Sequence, residues 1–326
     1  MGSHSARDKD SDHAIAGGTS GFVTRLICQP LDVIKIRFQL QVEPIRHNDN
    51  SKYRSLAHAV NVIVKEEGLL ALWKGHVPAQ ILSIVYGLGQ FYSYNIFKKF
   101  FDQIADVPEW KKSVNFIAGA AAGSVATIIS YPFDTVRTRL VSQSSNNPVY
   151  RGVLNPYLTI LRTESTRSFF RGLSPTLLQI SPHAGLQFMF YGWFVDTWQI
   201  YYPNDQTNIT SSMIAGSSAG LAAKTLVYPF DLARKRLQIQ GFEHGRKGFG
   251  QFFTCHGLID CAVQTFRNEG FCGLFKGLVP SQIKAAATTA LHFTVYEQTL
   301  LLLQKMREFS TSTTPRFLFL FGIIHN

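Results

Sequence analysis

One eight-residue pattern occurs three times in the 326-residue chain, and no other feature limits its fold as strongly. It reads Pro30-Leu31-Asp32-Val33-Ile34-Lys35-Ile36-Arg37, then Pro132-Phe133-Asp134-Thr135-Val136-Arg137-Thr138-Arg139, then Pro229-Phe230-Asp231-Leu232-Ala233-Arg234-Lys235-Arg236. The prolines stand 102 and 97 residues apart. That period is too long for a solenoid unit, so the chain reads as three copies of one module. A proline inside a helix removes a backbone hydrogen bond and kinks it. The Asp and the base three positions on then share one face just past the kink. A pair within each helix is the plainer reading, worth about 0.2–0.5 kcal/mol. Three equally spaced copies, each opened by proline, favour three helices that converge and pair acids with bases between them.

The rest of each module repeats as well. Before each proline runs a small, apolar segment with glycines four apart, Gly17 and Gly21, Gly119 and Gly123, Gly216 and Gly220. Such spacing lets helix backbones approach closely in a bilayer. After each proline pattern come a polar loop, a short amphipathic stretch and a second marker: Glu67-Gly68 to Trp73-Lys74-Gly75, Glu164-Ser165 to Phe170-Arg171-Gly172, and Glu269-Gly270 to Phe275-Lys276-Gly277. A further apolar segment follows each, at roughly 76–101, 173–201 and 278–304, long enough for the ~20 residues a bilayer requires. The reading is an all-α membrane protein with six tilted transmembrane helices in three pseudo-symmetric repeats. Its parts are a polar N-terminal tail (1–12), repeats at 13–103, 112–201 and 209–305, and a C-terminal tail (306–326) whose apolar run is too short to span.

Composition agrees. Lys and Arg outnumber Asp and Glu by 32 to 21, a net charge of +11, yet charged residues are only 16% of the chain, with 26 Phe and 25 Gly. Few charges with a basic excess suit a membrane protein with basic loops. The bases sit at repeat positions and form no dense patch, which argues against a nucleic-acid polymer as partner. Cys28, Cys255, Cys261 and Cys272 have neither zinc spacing nor the density of a disulfide framework. The first twelve residues carry no secretory or transit pattern, so targeting is expected to be internal. No phosphate-cradling loop, carboxylate pair or nucleophile elbow is present, and the chain reads as no enzyme, with no cofactor and no metal.

The even apolar segments mark a cavity. Seven residues after the marker glycines stand Leu82, Gln179 and Lys284; eleven after, Tyr86, His183 and Thr288; fifteen after, Gln90, Gln187 and His292. Steps of four stay on one helix face, and eight of these nine residues can hydrogen-bond within otherwise apolar helices. Five residues before the prolines stand Arg25, Thr127 and Lys224. Bases at such depth are expensive in lipid and therefore face an aqueous path. With Lys284, Arg25 and Lys224 suit a phosphate group. His183 and His292 read as neutral polar lining residues.

The two markers in three repeats resemble the mitochondrial carrier family over about residues 13–305. The resemblance implies a six-helix bundle in the inner mitochondrial membrane, a multi-pass monomer with both termini in the intermembrane space and the short helices on the matrix side. It implies substrate contacts at the level of Leu82, Gln179 with Ile180, and Lys284, together with His183 and Tyr86. It also implies a matrix gate of Asp32 with Arg137, Asp134 with Arg234 and Asp231 with Lys35, braced by Gln39 and Gln238, while Val141 takes the third brace position. At the opposite gate only Lys98 and Glu297 keep the family's charges. Finer stretches, 35–41, 73–84, 184–188 and Gly241-Phe242-Glu243-His244, resemble the branch that carries thiamine pyrophosphate. The expectation is exchange of that cofactor for nucleotides by alternating access, with membrane lipid, cardiolipin included, as a partner. Coenzyme A or deoxynucleotides are the alternative cargo, and a proton-leak or structural protein the alternative class.

Overall fold

The structure, a computed structural model, describes residues 2–42, 51–104, 111–143, 148–202, 209–242, 245 and 253–321. Among these every regular element is helical. Six helices are long: α1 (Gly2–Leu40), α3 (His76–Ile104), α4 (Lys111–Ser142), α6 (Leu173–Tyr201), α7 (Ile209–Gln238) and α9 (Leu278–Phe321). Three are short: α2 (Leu56–Glu67), α5 (Asn155–Thr163) and α8 (Leu258–Glu269), each followed by one 3₁₀ turn. By length and hydropathy alone, 114–142 is the one described span apolar enough to cross a membrane. Arg25, Lys224 and Lys284 lower the value in α1, α7 and α9, whereas α3 and α6 fall short through their uncharged polar, glycine and proline residues. The chain divides into two compact units, 30–282 and 1–29 with 283–326.

The larger unit holds all three proline patterns. Pro30, Pro132 and Pro229 lie inside continuous helices, as does Pro182 in α6. Helix α3 packs along α4 and α6 along α7. The buried face is an alanine row at every fourth position, Ala118, Ala122 and Ala126 on α4, and Ala215, Ala219 and Ala223 on α7. This corrects the reading of the glycine pairs. A β-carbon on Gly123 would lie 3.8 Å from the Tyr86 hydroxyl and one on Gly220 4.0 Å from Gln187, ordinary contacts with side chains. Close backbone approach occurs instead at Gly89, where a β-carbon would lie 3.4 Å from the Ala126 α-carbon. In the smaller unit Arg307 donates to Asp12 at 2.8 Å, and His13 Nδ1 lies 2.7 Å from the Tyr296 hydroxyl.

The runs expected as tails, 1–12 and 306–326, are helical at 2–12 and 306–321, continuing α1 and α9. Extending a formed helix costs far less than nucleating one, so polar residues join it readily.

A glutamine eleven positions after each proline bonds the backbone that leads into the next short helix. Gln41 brackets the Tyr53 backbone, accepting from its N–H at 3.0 Å and donating to its carbonyl at 3.2 Å. Gln143 does the same to Tyr150, and Gln240 donates to the Phe253 carbonyl. Ser55 caps α2 by accepting from the His58 N–H, and Gly68 and Gly270 end α2 and α8 with φ of 83° and 73°. Ser165, where the second repeat lacks that glycine, takes an extended backbone (φ −105°) and caps the next turn through its hydroxyl.

The marker glycines are closely surrounded. Gly75, Gly172 and Gly277 have φ of 74°, 82° and 83°. A β-carbon on Gly75 would lie 3.2 Å from the Arg137 carbonyl oxygen, one on Gly172 2.8 Å from that of Arg234, and one on Gly277 3.0 Å from that of Lys35. Each glycine thus abuts the base of the following repeat. The left-handed backbone alone costs a side chain about 1–2 kcal/mol, and at Gly172 a collision adds to it. Gly172→Ala should therefore lower the thermal midpoint of the purified protein more than Gly68→Ala, whose β-carbon meets nothing within 4 Å. Equal shifts would mean that contact with the next repeat contributes nothing.

Candidate functional site: an ionic ring past the proline kinks

The acids and bases of the proline patterns pair between repeats, not within them. Arg137 donates to Asp32, Arg234 to Asp134 at 2.8 Å and Lys35 to Asp231 at 2.5 Å. Repeat 1 is joined to 2, 2 to 3, and 3 to 1, closing a cycle within the larger unit. The reason is position: the acid two residues past each proline meets the base of the next helix. The carboxylates are almost shut off from solvent, with side-chain exposures of 7%, 6% and 14%. Gln39 extends to Asp231 at 3.4 Å and to the Tyr228 hydroxyl at 3.0 Å, and Gln238 Nε2 donates to Asp134 at 2.5 Å. Val141, at the third equivalent position, is fully buried and apolar.

Two sets of residues were missed at the level of sequence. The last base of each pattern points away from the ring and is buried with the glutamate of its own repeat's second marker. Arg37 holds Glu67 through two bonds of 2.5 and 2.8 Å, Arg139 holds Glu164 at 2.5 and 3.1 Å, and Arg236 meets Glu269 at 2.5 Å. The marker's own base joins the same carboxylate: Lys74, Arg171 and Lys276. The signal was present, since a base and a glutamate recur at fixed positions in all three repeats. The second set is the pair of tyrosines before Pro132 and Pro229. Tyr131 donates to the Arg171 carbonyl and Tyr228 to that of Lys276, while their rings lie 5.4 Å from the Arg234 guanidinium and 5.8 Å from the Lys35 ammonium.

The expected cavity residues fall in both units. Leu82, Tyr86, Gln179, Ile180, His183 and Lys224 belong to the larger, and Arg25 and Lys284 to the smaller. All are partly exposed. Lys224 donates to the Ser281 carbonyl at 2.8 Å. The side-chain oxygen of Gln179 is buried without a hydrogen-bond partner in the protein, which suits a ligand donor. Of the opposite gate, Lys98 lies in the larger unit and Glu297 in the smaller, both exposed. Glu243 and His244 lie outside the described residues. A separate cavity of about 510 Å³ is lined by Phe38, by Ser55 and Leu56 at the start of α2, and by Lys276 to Pro280 at the start of α9. Two helix N-termini make it suited to an anion, while its Lys276 is paired with Glu269, which also lines it.

A family model described as "Mitochondrial carrier protein" matches residues 8–104, 110–202 and 205–307. The chain belongs to that family, whose members are transporters and not enzymes. It is 43% identical over 298 residues to a bovine "Mitochondrial thiamine pyrophosphate carrier", covering 90% of this chain and 93% of the relative. It is 44% identical over 287 residues to the human protein of that name, covering 87% and 89%. To "Mitochondrial thiamine diphosphate carrier 1" of Arabidopsis thaliana it is 36% identical over 308 residues, covering 87% and 91%.

The Arg–Glu pairs have a pH signature. Burial opposes ionisation of Glu67, yet bonds from Arg37 and Lys74 hold its carboxyl down at about 2, against an ordinary value of 4.5. A carboxyl depressed on folding contributes stability that is complete above the unfolded value and is lost as pH falls toward the folded one. The thermal midpoint should therefore fall between about pH 5 and about pH 3. Glu67→Gln, which lacks this group, should start lower and fall less. Identical slopes would remove Glu67 from the acid response.

Proposed function

We propose that the chain carries thiamine pyrophosphate across the mitochondrial inner membrane into the matrix, exchanging it for nucleotides by alternating access. The observation that carries this reading is the closed cycle of ion pairs linking three repeats, which gives a carrier a gate that one conformation closes and another breaks. The relatives' names supply the cargo. The six long helices span the bilayer, with large apolar side chains such as Phe91 and Phe188 directed to lipid. The repeats run 13–103, 112–201 and 209–305, and the protein acts as a monomer. The anion-suited cavity between the starts of α2 and α9 takes an anionic phospholipid, cardiolipin among them.

In this reading Asp32, Arg137, Asp134, Arg234, Asp231 and Lys35 are the matrix gate, with Gln39 and Gln238 as braces. A pair at about 4 Å is worth about 4 kcal/mol at an effective dielectric near 20, before desolvation costs. Lys98 and Glu297 are what remains of the cytoplasmic gate, so the empty carrier rests open to the intermembrane space. Arg25, Lys224 and Lys284 hold the pyrophosphate. Gln179 accepts from the ligand, Tyr86 faces the thiazolium, and Leu82, Ile180 and His183 shape the site.

Uptake by purified protein in liposomes tests both parts. Reversing a single gate charge should cripple exchange, and Asp32→Lys with Arg137→Asp should recover part of it. No recovery in any of the three possible swaps would sink the gate. Lys284→Ala should weaken competition by thiamine pyrophosphate far more than by unphosphorylated thiamine; equal loss would mean that Lys284 does not touch phosphate. Stronger competition by coenzyme A or deoxynucleotides would replace the cargo and leave the mechanism standing.

A further inference from the structure

The ring is not threefold. In the third repeat the spacer between the two bases is Lys235, where the first two repeats have neutral Ile36 and Thr138. Lys235 is buried, and its ammonium lies 3.0 and 2.9 Å from the two carboxylate oxygens of Asp134, 3.0 Å from the Thr138 hydroxyl and 3.0 Å from the Gln238 amide oxygen. An ammonium has three N–H donors, and all of its acceptors here belong to the link between repeats 2 and 3 or its brace. Asp134 therefore faces Arg234, Lys235 and Gln238 together. The ring as a whole sets three aspartates against four bases.

The other two links are graded in the same sense. Lys35 and Asp231, joining repeats 3 and 1, have Gln39 as brace and Tyr228 as a platform under the cation. The link between repeats 1 and 2 has neither residue type: its brace position is Val141, and before Pro30 stands Gln29, which has no ring. Both devices are missing from the same link, and the extra cation is found at one of the two links that have both.

We propose that Lys235 is a seventh ionic member of the matrix gate, a positioning residue that acts through Asp134. The gate is thereby graded, so that the link between repeats 1 and 2 yields first and that between repeats 2 and 3 last. This rests on reading the ring as a gate, and its test is independent of what the carrier moves. The reporter is a single cysteine at Ser83 in the full chain, with Cys28, Cys255, Cys261 and Cys272 replaced. It is labelled by a membrane-impermeant maleimide in liposomes of either orientation. The quantity read is the ratio of outer-face to matrix-face labelling, which responds to the balance of the two open states and not to overall stability.

Lys235→Gln should lower the ratio several-fold, and Lys235→Arg should restore it. Val141→Gln should raise it, on the order of tenfold for one added hydrogen bond to a charged group. A longer side chain fits there, because Val141 lies against Gly75 as Gln39 lies against Gly277, each with an atom 3.2 Å from the β-carbon position. Asp134→Asn should lower the ratio more than Asp32→Asn. A Lys235→Gln ratio equal to wild type, or the reverse order for the two aspartates, overturns the proposal. Should Lys235→Gln fail to fold, Val141→Gln still decides, since an unchanged ratio there removes the weak link. If the ratios shift as expected while no variant or wild type takes up thiamine pyrophosphate, the grading stands and the cargo assignment fails.

Discussion

A guanidinium out of water is costly unless a carboxylate meets it and its remaining N–H groups are bonded. Among the described residues Arg37, Arg139 and Arg236 are the largest fully buried side chains, and each is met by the glutamate of its own repeat. The partner glutamate ends the short helix of the same repeat, so the end of the kinked helix and the short helix cannot separate without exposing an unpaired charge. The glutamate also takes the marker base, which fixes the glycine that follows. That glycine in turn abuts the ring base of the next repeat. One buried pair therefore sets where the neighbouring repeat sits, and the arginines add direct links: Arg139 donates to the Gln238 carbonyl, and Arg236 to that of Gln39.

This order separates two kinds of ion pair that look alike in the sequence. The pairs of Arg37, Arg139 and Arg236 lie inside a repeat and hold its shape. Those of Lys35, Arg137 and Arg234 lie between repeats and are the ones an opening motion would break. The same eight residues supply both because bases two positions apart on a helix point in different directions. The aspartate goes to the neighbour for a similar reason: the base within its own helix is already directed at the preceding repeat's acid.

The three modules and the helical class could be read from the sequence because they depend on spacing, which repetition makes visible, whereas the pairing expected within the ring came from the resemblance to the family. The three Arg–Glu pairs left an equally regular trace, but spacing cannot say which of two bases turns toward the glutamate; burial decides that. Lys235 is different. It occurs once, at a position where Ile36 and Thr138 show no preference for charge, and nothing in a periodic reading distinguishes it from a solvated lysine. The glycine pairs misled for a related reason. The contact face of α4 and α7 is the adjacent alanine row, one residue round the helix, and a rotation of that size cannot be read from spacing alone. The helical continuation through both expected tails was hidden because polar composition does not separate a loose tail from a helix extended from one already formed.

A ring proposed to open in every transport cycle cannot be held by pairs worth their full Coulomb energy, and burial is what keeps their net worth small. Removing two charges from water costs several kcal/mol per ion, which offsets most of the attraction between them. When the ring parts, those charges regain water, so opening loses far less than the sum of the contacts. The braces and tyrosines matter out of proportion for that reason. Gln39, Gln238, Tyr131 and Tyr228 add polar and aromatic contacts to the ring without adding further buried charges. Lys235 is the exception, a fourth base that must itself be desolvated, and the structure surrounds it with four acceptor atoms. Small neutral contributions can thus set the balance between two states that must lie within a few kcal/mol of each other for either face to open.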